Sequence, residues 1–311
     1  MDVQIDRKAQ AKLEREAINL AIRQNYNSDT PNFSFICGGM RRISVNPDDR
    51  RARKMLLKNG IRYYSKNQLF VYACASYLPL DLFLDVGTNY GECLFSLPLY
   101  CKTRARGFEA NPEMRDHLER SKRYNSDIQA EYDIVAVSGV AGQSVSFFVD
   151  AKWSGKSSLS GTTGRATREH SVTTTTVDAE VEKAGGGTTI LLKVDVEGFE
   201  PSVFDGAKRT IRETPNLIAL VEYDSDFLEA NGSNAEEFFD ALEEDCEVYD
   251  FKKDILRPVW DFAQLQKLHA KKPKIHTDLI LTKFSDNSIR SAFQTRIAAP
   301  FSELRSTLWQ L

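Results

Sequence analysis

Short apolar runs alternate with helical periods from Leu80 onward, and this rhythm predicts strand-helix-strand units on a mostly parallel sheet with helices on both faces. DLFLDV at 81–86 is the first run, ARGFEA at 105–110 the second and IVAVSG at 134–139 the third. Between the last two a helix is expected to open at Pro112 and to carry Met114 and Leu118. TILLKVDVEG at 189–198 reads as a strand buried on both faces. Pro201 then suits a first helical turn, and Val203, Ala207 and Ile211 repeat at four-residue spacing until Pro215 forces a stop. LIALVEYD at 217–224 supplies another strand and AEEFFDALEE at 235–244 another helix, while CEVYDF at 246–251 and TDLILTKF at 277–284 form an antiparallel closing pair. SVSFFV at 144–149 and SVTTTTV at 171–177 interrupt the repeat as β-branched extended insertions.

Both ends differ from this body. Leu13, Ala17, Leu20 and Ala21 give residues 5–24 a helical period that ends at Asn, Asp and Pro in 27–31. At the far end, Ile289, Phe293 and Ile297 predict a helix that covers the body or a partner subunit. The pattern thus divides the chain into a helical and mixed N-terminal extension at 1–80, an α/β domain at 81–285 and a helical tail at 286–311.

Composition narrows the function classes. With 41% apolar residues among 311, the chain can bury a large core. Lys plus Arg number 41 against 44 for Asp plus Glu, so no overall basic field exists to hold nucleic acid. The basic run RRARK at 50–54 reads as a solvated helix face. MDVQIDRKAQ is charged where a signal peptide needs apolar residues, and no stretch approaches the ~18 apolar residues of a membrane helix, which points to the cytoplasm. The five cysteines, at 37, 74, 93, 101 and 246, show neither CxxC pairing nor zinc-ligand spacing.

The candidate chemistry begins at FLDVGTNYGE, residues 83–92. Two glycines after a buried strand suit a ligand pressed against backbone at the carboxyl end of a parallel sheet. A dinucleotide fingerprint needs a third glycine, absent after Gly91, and Asp85 and Glu92 on either side of the turn would repel a pyrophosphate. Those acids suit a ligand with an ammonium and a sulfonium, as in S-adenosylmethionine. Glu109 ends the second strand about 20 residues on, where an acid accepts ribose hydroxyls in either cofactor class. Asp85, Gly87, Thr88, Asn89, Gly91, Glu92, Glu109 and Asp133 are therefore the expected cofactor contacts.

A second cluster lies in KVDVEGFEP at 193–201, where Lys193, Asp195 and Glu197 alternate and so share one face of a continuing strand. Unpaired charges in a buried strand are costly, which favours an ion pair or a catalytic use. Glu222, at the end of the next strand, brings a third carboxylate nearby. Crowding should raise the Asp195 carboxyl and make it the first candidate for general base. The same oxygens suit Mg2+, and His276 is another candidate base.

With FLDVGTNYGE, GFEANP, VAVSG, GKSSL at 155–159, VTTTTVDAEVE, LLKVDVEGFEPSVFDGAKRTI and ALVEY in that order over about 81–223, the chain resembles the FkbM-like S-adenosylmethionine-dependent methyltransferases. The resemblance implies a Rossmann-like class I fold in which Asp85, Gly87, Gly91 and Glu109 hold the cofactor, and O-methylation of a sugar, glycan or other small hydroxylated metabolite. Thr88, Tyr90 and Val177-Asp178-Ala179 depart from the family's usual residues and bear on substrate more than on cofactor. The alternatives are an RNA 2′-O-methyltransferase, an NAD-dependent oxidoreductase and a non-catalytic scaffold. Neither membrane nor nucleic acid is an expected partner, and a homo-oligomer remains open.

Overall fold

The structure is a computed structural model that describes residues 34–37, 41–46, 48–52, 62–63, 65–99, 101–150, 154, 159, 167–271 and 273–308. The helix expected at 5–24 lies outside the described residues, as do parts of the RRARK and GKSSL stretches.

Three short strands come first: β1 (Ser34–Cys37), β2 (Arg41–Ser44) and β3 (Arg62–Tyr63), in the order β2-β1-β3. Helix α1 (Lys66–Tyr77) follows, opened by a capping box in which the Ser65 hydroxyl accepts the Gln68 N–H and the Gln68 side chain accepts the Ser65 N–H. Next come β4 (Leu82–Val86), β5 (Arg104–Glu109), helix α2 (Arg115–Tyr124) and β6 (Ala130–Ile134). A three-stranded insertion contains β7 (Ala136–Val137), β8 (Ser144–Asp150) and β9 (Thr167–Thr175). Helix α3 (Val177–Lys183) leads back to β10 (Thr189–Val194), then to α4 (Glu200–Asp205) and α5 (Lys208–Glu213). The remainder is β11 (Asn216–Asp224), α6 (Ser225–Ala230), α7 (Ala235–Glu243), β12 (Glu247–Lys252), β13 (Ile255–Val259), α8 (Phe262–His269), β14 (His276–Phe284), α9 (Asn287–Phe293) and α10 (Phe301–Leu308).

The main sheet has eight strands in the order β13-β12-β14-β11-β10-β4-β5-β6. β6 to β11 of this sheet run parallel through β5, β4 and β10, and β14 inserts antiparallel between β11 and β12. The chain leaves β4 toward β5 and β6 and then returns to β10 on the other side of β4. That reversal opens a crevice at the carboxyl ends of β4 and β10, where ligands bind in open α/β sheets.

Both faces of the sheet are covered, which explains the nearly continuous apolar runs. Phe83, Leu191, Ile218, Leu220 and Ile280 belong to one core, together with Phe70 of α1 and Phe293 and Ile297 of the tail. Leu82, Leu84, Val86, Ile190, Leu192 and Val194 belong to the other. The tail therefore covers the body through Ile289, Phe293 and Ile297. The N-terminal segment is also fixed to it: buried Arg41 pairs with Asp127 at 2.6 Å and donates to the Leu97 and Pro98 carbonyls.

Three local expectations change. The 134–139 run is not one strand: β6 ends at Ile134, and Ala136–Val137 leaves the main sheet to pair with Thr174–Thr175 of β9. The helix expected to run from Pro201 to Pro215 breaks at Gly206, and glycine is required at the break, since a Cβ there would lie 2.2 Å from the Ser138 carbonyl oxygen. β13 adds an edge strand after Lys253 and Asp254, and it carries its proline at the edge as strand chemistry requires. Among the described residues no helix is long and apolar enough to cross a membrane.

Candidate active site

The glycine turn closes over the ends of β4 and β10. Gly87 and Gly91 take φ of +79° and +88°, and Asn89 between them takes 53°. A Cβ on Gly87 would stand 1.8 Å from the Asp195 carbonyl oxygen, so only glycine lets the two strand ends meet there. The Asp195 N–H completes the junction by donating to Val86 O at 3.1 Å.

Beside this junction lies a cleft that encloses about 690 Å³ when its open, solvent-filled mouth is counted. One wall is apolar, made by Phe108, Val135, Ala136, Val137, Phe147 and Leu159. Glu109 is set into the cleft: one carboxylate oxygen accepts the Asn89 N–H and the other the Asn111 N–H, both at 2.7 Å. Burial pushes its carboxyl up to about 6, although both N–H donors favour the charged form. The cleft is completed by Asp195, Glu197 and Arg51. The chemistry of this lining, an apolar wall beside a buried carboxylate, is compatible with an adenosyl group.

Not every expected cofactor contact lines the cleft. Asp85 is fully buried and pairs with Lys193 at 3.0 Å. Strand alternation explains this, because Val86 and Phe108 line the cleft from one face of the sheet while Asp85 follows Phe83 on the other. Lys193 also donates to Gly87 O at 3.1 Å, so the pair supports the turn from beneath. Thr88 is buried too, its hydroxyl donating to Asp85 O at 2.6 Å. Glu92 pairs with Arg51, and half-exposed Asp133 pairs with Arg106; neither side chain lines the cleft.

The second cluster does assemble. Asp195, Glu197 and Glu222 each offer an oxygen within 4.8 Å of the others. Glu197 reaches the group from left-handed backbone at φ 57°, its carbonyl accepting from Asn231 Nδ2. Burial pushes the Glu222 carboxyl well above the usual range, and Asp195, Glu197, Glu200 and Asp278 push it further. The crowding expected at Asp195 thus acts on Glu222, whose Oε2 is buried without a hydrogen-bond partner. Lys193 Nζ lies 3.7 Å from Asp195 Oδ2. His276 is exposed, bound to Asp224 at 2.8 Å and absent from the cleft lining.

Two contributors escaped the sequence reading. Glu200 is buried and accepts the Val196 and Gly198 N–H groups, which folds the DVEG loop over the helix start; burial pushes its carboxyl to about 7. Arg51 lines the cleft, although the basic run holding it reads as a solvated face. The signal for Glu200 is its place at the first position of α4, where an acid suits a helix N-terminus, whereas a run of like charges gives no signal of which one turns inward.

The sequence profile described as the Methyltransferase FkbM domain matches residues 85–252, just over half the chain. No curated protein matches. The fold is similar to a Klebsiella pneumoniae protein proposed to be an O-methyltransferase, at 8% identity and TM-score 0.41, covering 89% of this chain and 100% of that one. It is also similar to the O-methyltransferase of Bacillus cereus solved with S-adenosylhomocysteine, at 10% identity and TM-score 0.39 over 90% and 93% of the two chains. A third likeness, at 9% identity and TM-score 0.37 over 71% and 80%, is to an O-methyltransferase of tomaymycin synthesis from Streptomyces achromogenes with S-adenosylmethionine.

Proposed function

The chain belongs to the methyltransferase FkbM domain family and is an S-adenosylmethionine-dependent methyltransferase, and from that premise we propose that it methylates a hydroxyl of a sugar, glycan or other small metabolite. The observation that carries this reading is the carboxylate cluster Asp195, Glu197 and Glu222, two members of which, Asp195 and Glu197, line the same cleft as Glu109. A hydroxyl is a poor nucleophile at neutral pH and gains from a base held at hydrogen-bond distance. Bound S-adenosylmethionine supplies the methyl group and a sulfonium that leaves as a neutral thioether. The acceptor oxygen bonds to the methyl carbon as the carbon–sulfur bond breaks, and its proton passes to a carboxylate.

Asp195 is the candidate base, since it lines the cleft. Glu222 does not line the cleft, and burial with its carboxylate neighbours raises its carboxyl, so it stands behind Asp195 in a supporting place. Glu109 would hold the ribose and the apolar wall of Phe108 and Val135 to Val137 the adenine, with the Gly87 turn letting backbone approach the ligand. Cys74, Cys93, Cys101 and Cys246 are free thiols, which suits action in the reducing cytoplasm.

A second reading is favoured by the unpartnered Glu222 Oε2. The three carboxylates are hard oxygen donors and suit Mg2+, which would hold two neighbouring acceptor hydroxyls and lower the pKa of one.

The test is transfer of labelled methyl from S-adenosylmethionine to a panel of monosaccharides, glycans, polyhydroxylated small molecules and RNA, with Mg2+ and with EDTA. Label on hydroxylated small molecules supports the proposal, and label on RNA alone overturns it. Loss of activity in EDTA with recovery in Mg2+ selects the second reading.

A further inference from the structure

Three segments far apart in sequence converge at the mouth of the cleft. Asp49, itself buried, accepts the Arg51 N–H at 2.8 Å and the Ser154 N–H at 3.2 Å on one oxygen, and the Tyr90 hydroxyl at 2.8 Å on the other. This pins the turn around residue 50 and the insertion against the glycine turn. Arg51 is thereby laid over that turn: its Nη1 donates to Asn89 Oδ1 at 3.2 Å and pairs with Glu92, and the Ser154 hydroxyl donates to the same Asn89 oxygen at 3.3 Å.

The charges lining the cleft are unequal. Glu109, Asp195 and Glu197 are acids, and Arg51 is the one cation among the described lining residues. The methyl donor carries two cationic groups and one anion, the carboxylate of its methionine part. Three acids suit its ribose, ammonium and sulfonium, but they repel that carboxylate. We propose that Arg51, which lies outside the 85–252 match, holds the cofactor carboxylate. A guanidinium presents five N–H donors in a planar fork that matches a carboxylate, so it can hold Glu92 and a ligand carboxylate together. Glu92 then keeps Arg51 ordered before the ligand arrives. The assignment rests on the methyl-donor reading above and adds a cofactor contact from a segment that precedes the glycine turn.

Calorimetry with two probes tests it: S-adenosylhomocysteine and its decarboxylated analogue, S-adenosyl-3-thiopropylamine, which lacks only the carboxylate. Arg51→Ala should weaken S-adenosylhomocysteine about 10- to 100-fold and leave the decarboxylated analogue within about twofold of wild type. Arg51→Lys should recover part of the loss, because it restores charge without the fork. Equal weakening of both probes would assign Arg51 a structural role and overturn the proposal, as would no change in either. Failure of the wild-type protein to bind S-adenosylhomocysteine would instead remove the methyl-donor reading itself.

Discussion

Lys193 Nζ lies 3.0 Å from Asp85 Oδ1 across the register-paired central strands β10 and β4, with both side chains withdrawn from water. Burial works against the Lys193 charge, and Asp85 with Asp195 more than offsets it, so the ammonium is held above its ordinary range. Removing Lys193 leaves Asp85 buried without an opposite charge, and removing Asp85 leaves Lys193 only the longer 3.7 Å approach to Asp195. Asp85→Leu and Lys193→Met should each cost about 3–5 kcal/mol in a denaturant melt, whereas the double substitution should lie closer to wild type than either single one.

Gly87 and Gly142 share a positive φ but differ in surroundings. A Cβ at Gly87 meets Asp195 O at 1.8 Å, and one at Gly142 meets nothing within 4 Å. Gly142→Ala should cost about 1–2 kcal/mol, the penalty of left-handed backbone alone. Gly87→Ala should cost more and abolish S-adenosylhomocysteine binding, because the β4 and β10 ends must separate. Thermal melts with and without S-adenosylhomocysteine compare the two variants directly.

The Glu109 carboxyl, raised to about 6 by burial, makes cofactor affinity depend on pH. Since the folded pKa lies above the unfolded value, this group favours folding below about 4.5, and that contribution is lost as pH rises through about 6. Ribose hydroxyls donate to the charged form, so the sign reverses for binding. S-adenosylhomocysteine should bind more tightly as pH rises toward 6, by up to about tenfold per unit, with proton release on binding near pH 6. Glu109→Gln should bind weakly with that dependence flattened; calorimetry in buffers of different ionisation heat reads both effects.

Asp195 and Glu222 should respond differently to amide substitution. Asp195→Asn removes the candidate base and should lower kcat about 100- to 10,000-fold while S-adenosylhomocysteine binding persists. Glu222→Gln keeps the size of a carboxyl that burial raises and that stands off the cleft lining, so methyl transfer should stay within about tenfold of wild type. The raised Glu222 pKa favours folding at low pH and loses that contribution as pH rises through it. Glu222→Gln should therefore gain stability relative to wild type toward alkaline pH. A collapse of activity and of Mg2+ dependence in this variant would favour the metal reading.

Much of the site was legible in the chain. The two glycines, the acid at 109 and the acids of KVDVEG name a sheet edge that meets a ligand, but the expected two-residue period stops with β10 at Val194, and Glu197 joins the cluster from left-handed backbone instead. Arg51 was not legible in this way. Nothing within five residues distinguishes it from its basic neighbours, and its direction is set by Asp49 gripping Tyr90 and Ser154 from segments 41 and 105 residues away. Glu222 was named, but the upward push on its carboxyl depends on burial and on four carboxylates from two other segments, 195–200 and β14.

Sequence by itself determined the α/β architecture, the strand that carries the glycine turn and the three carboxylates of the cluster, since hydrophobic period and turn chemistry act over a few residues. Only the tertiary structure decided that Asp85 turns away from the cleft toward Lys193, that Arg51 turns into it and that Glu222 takes the crowding expected of Asp195. Charge pairing and burial depend on which side chains the fold brings within a few ångströms, and one strand cannot encode its neighbours' charges.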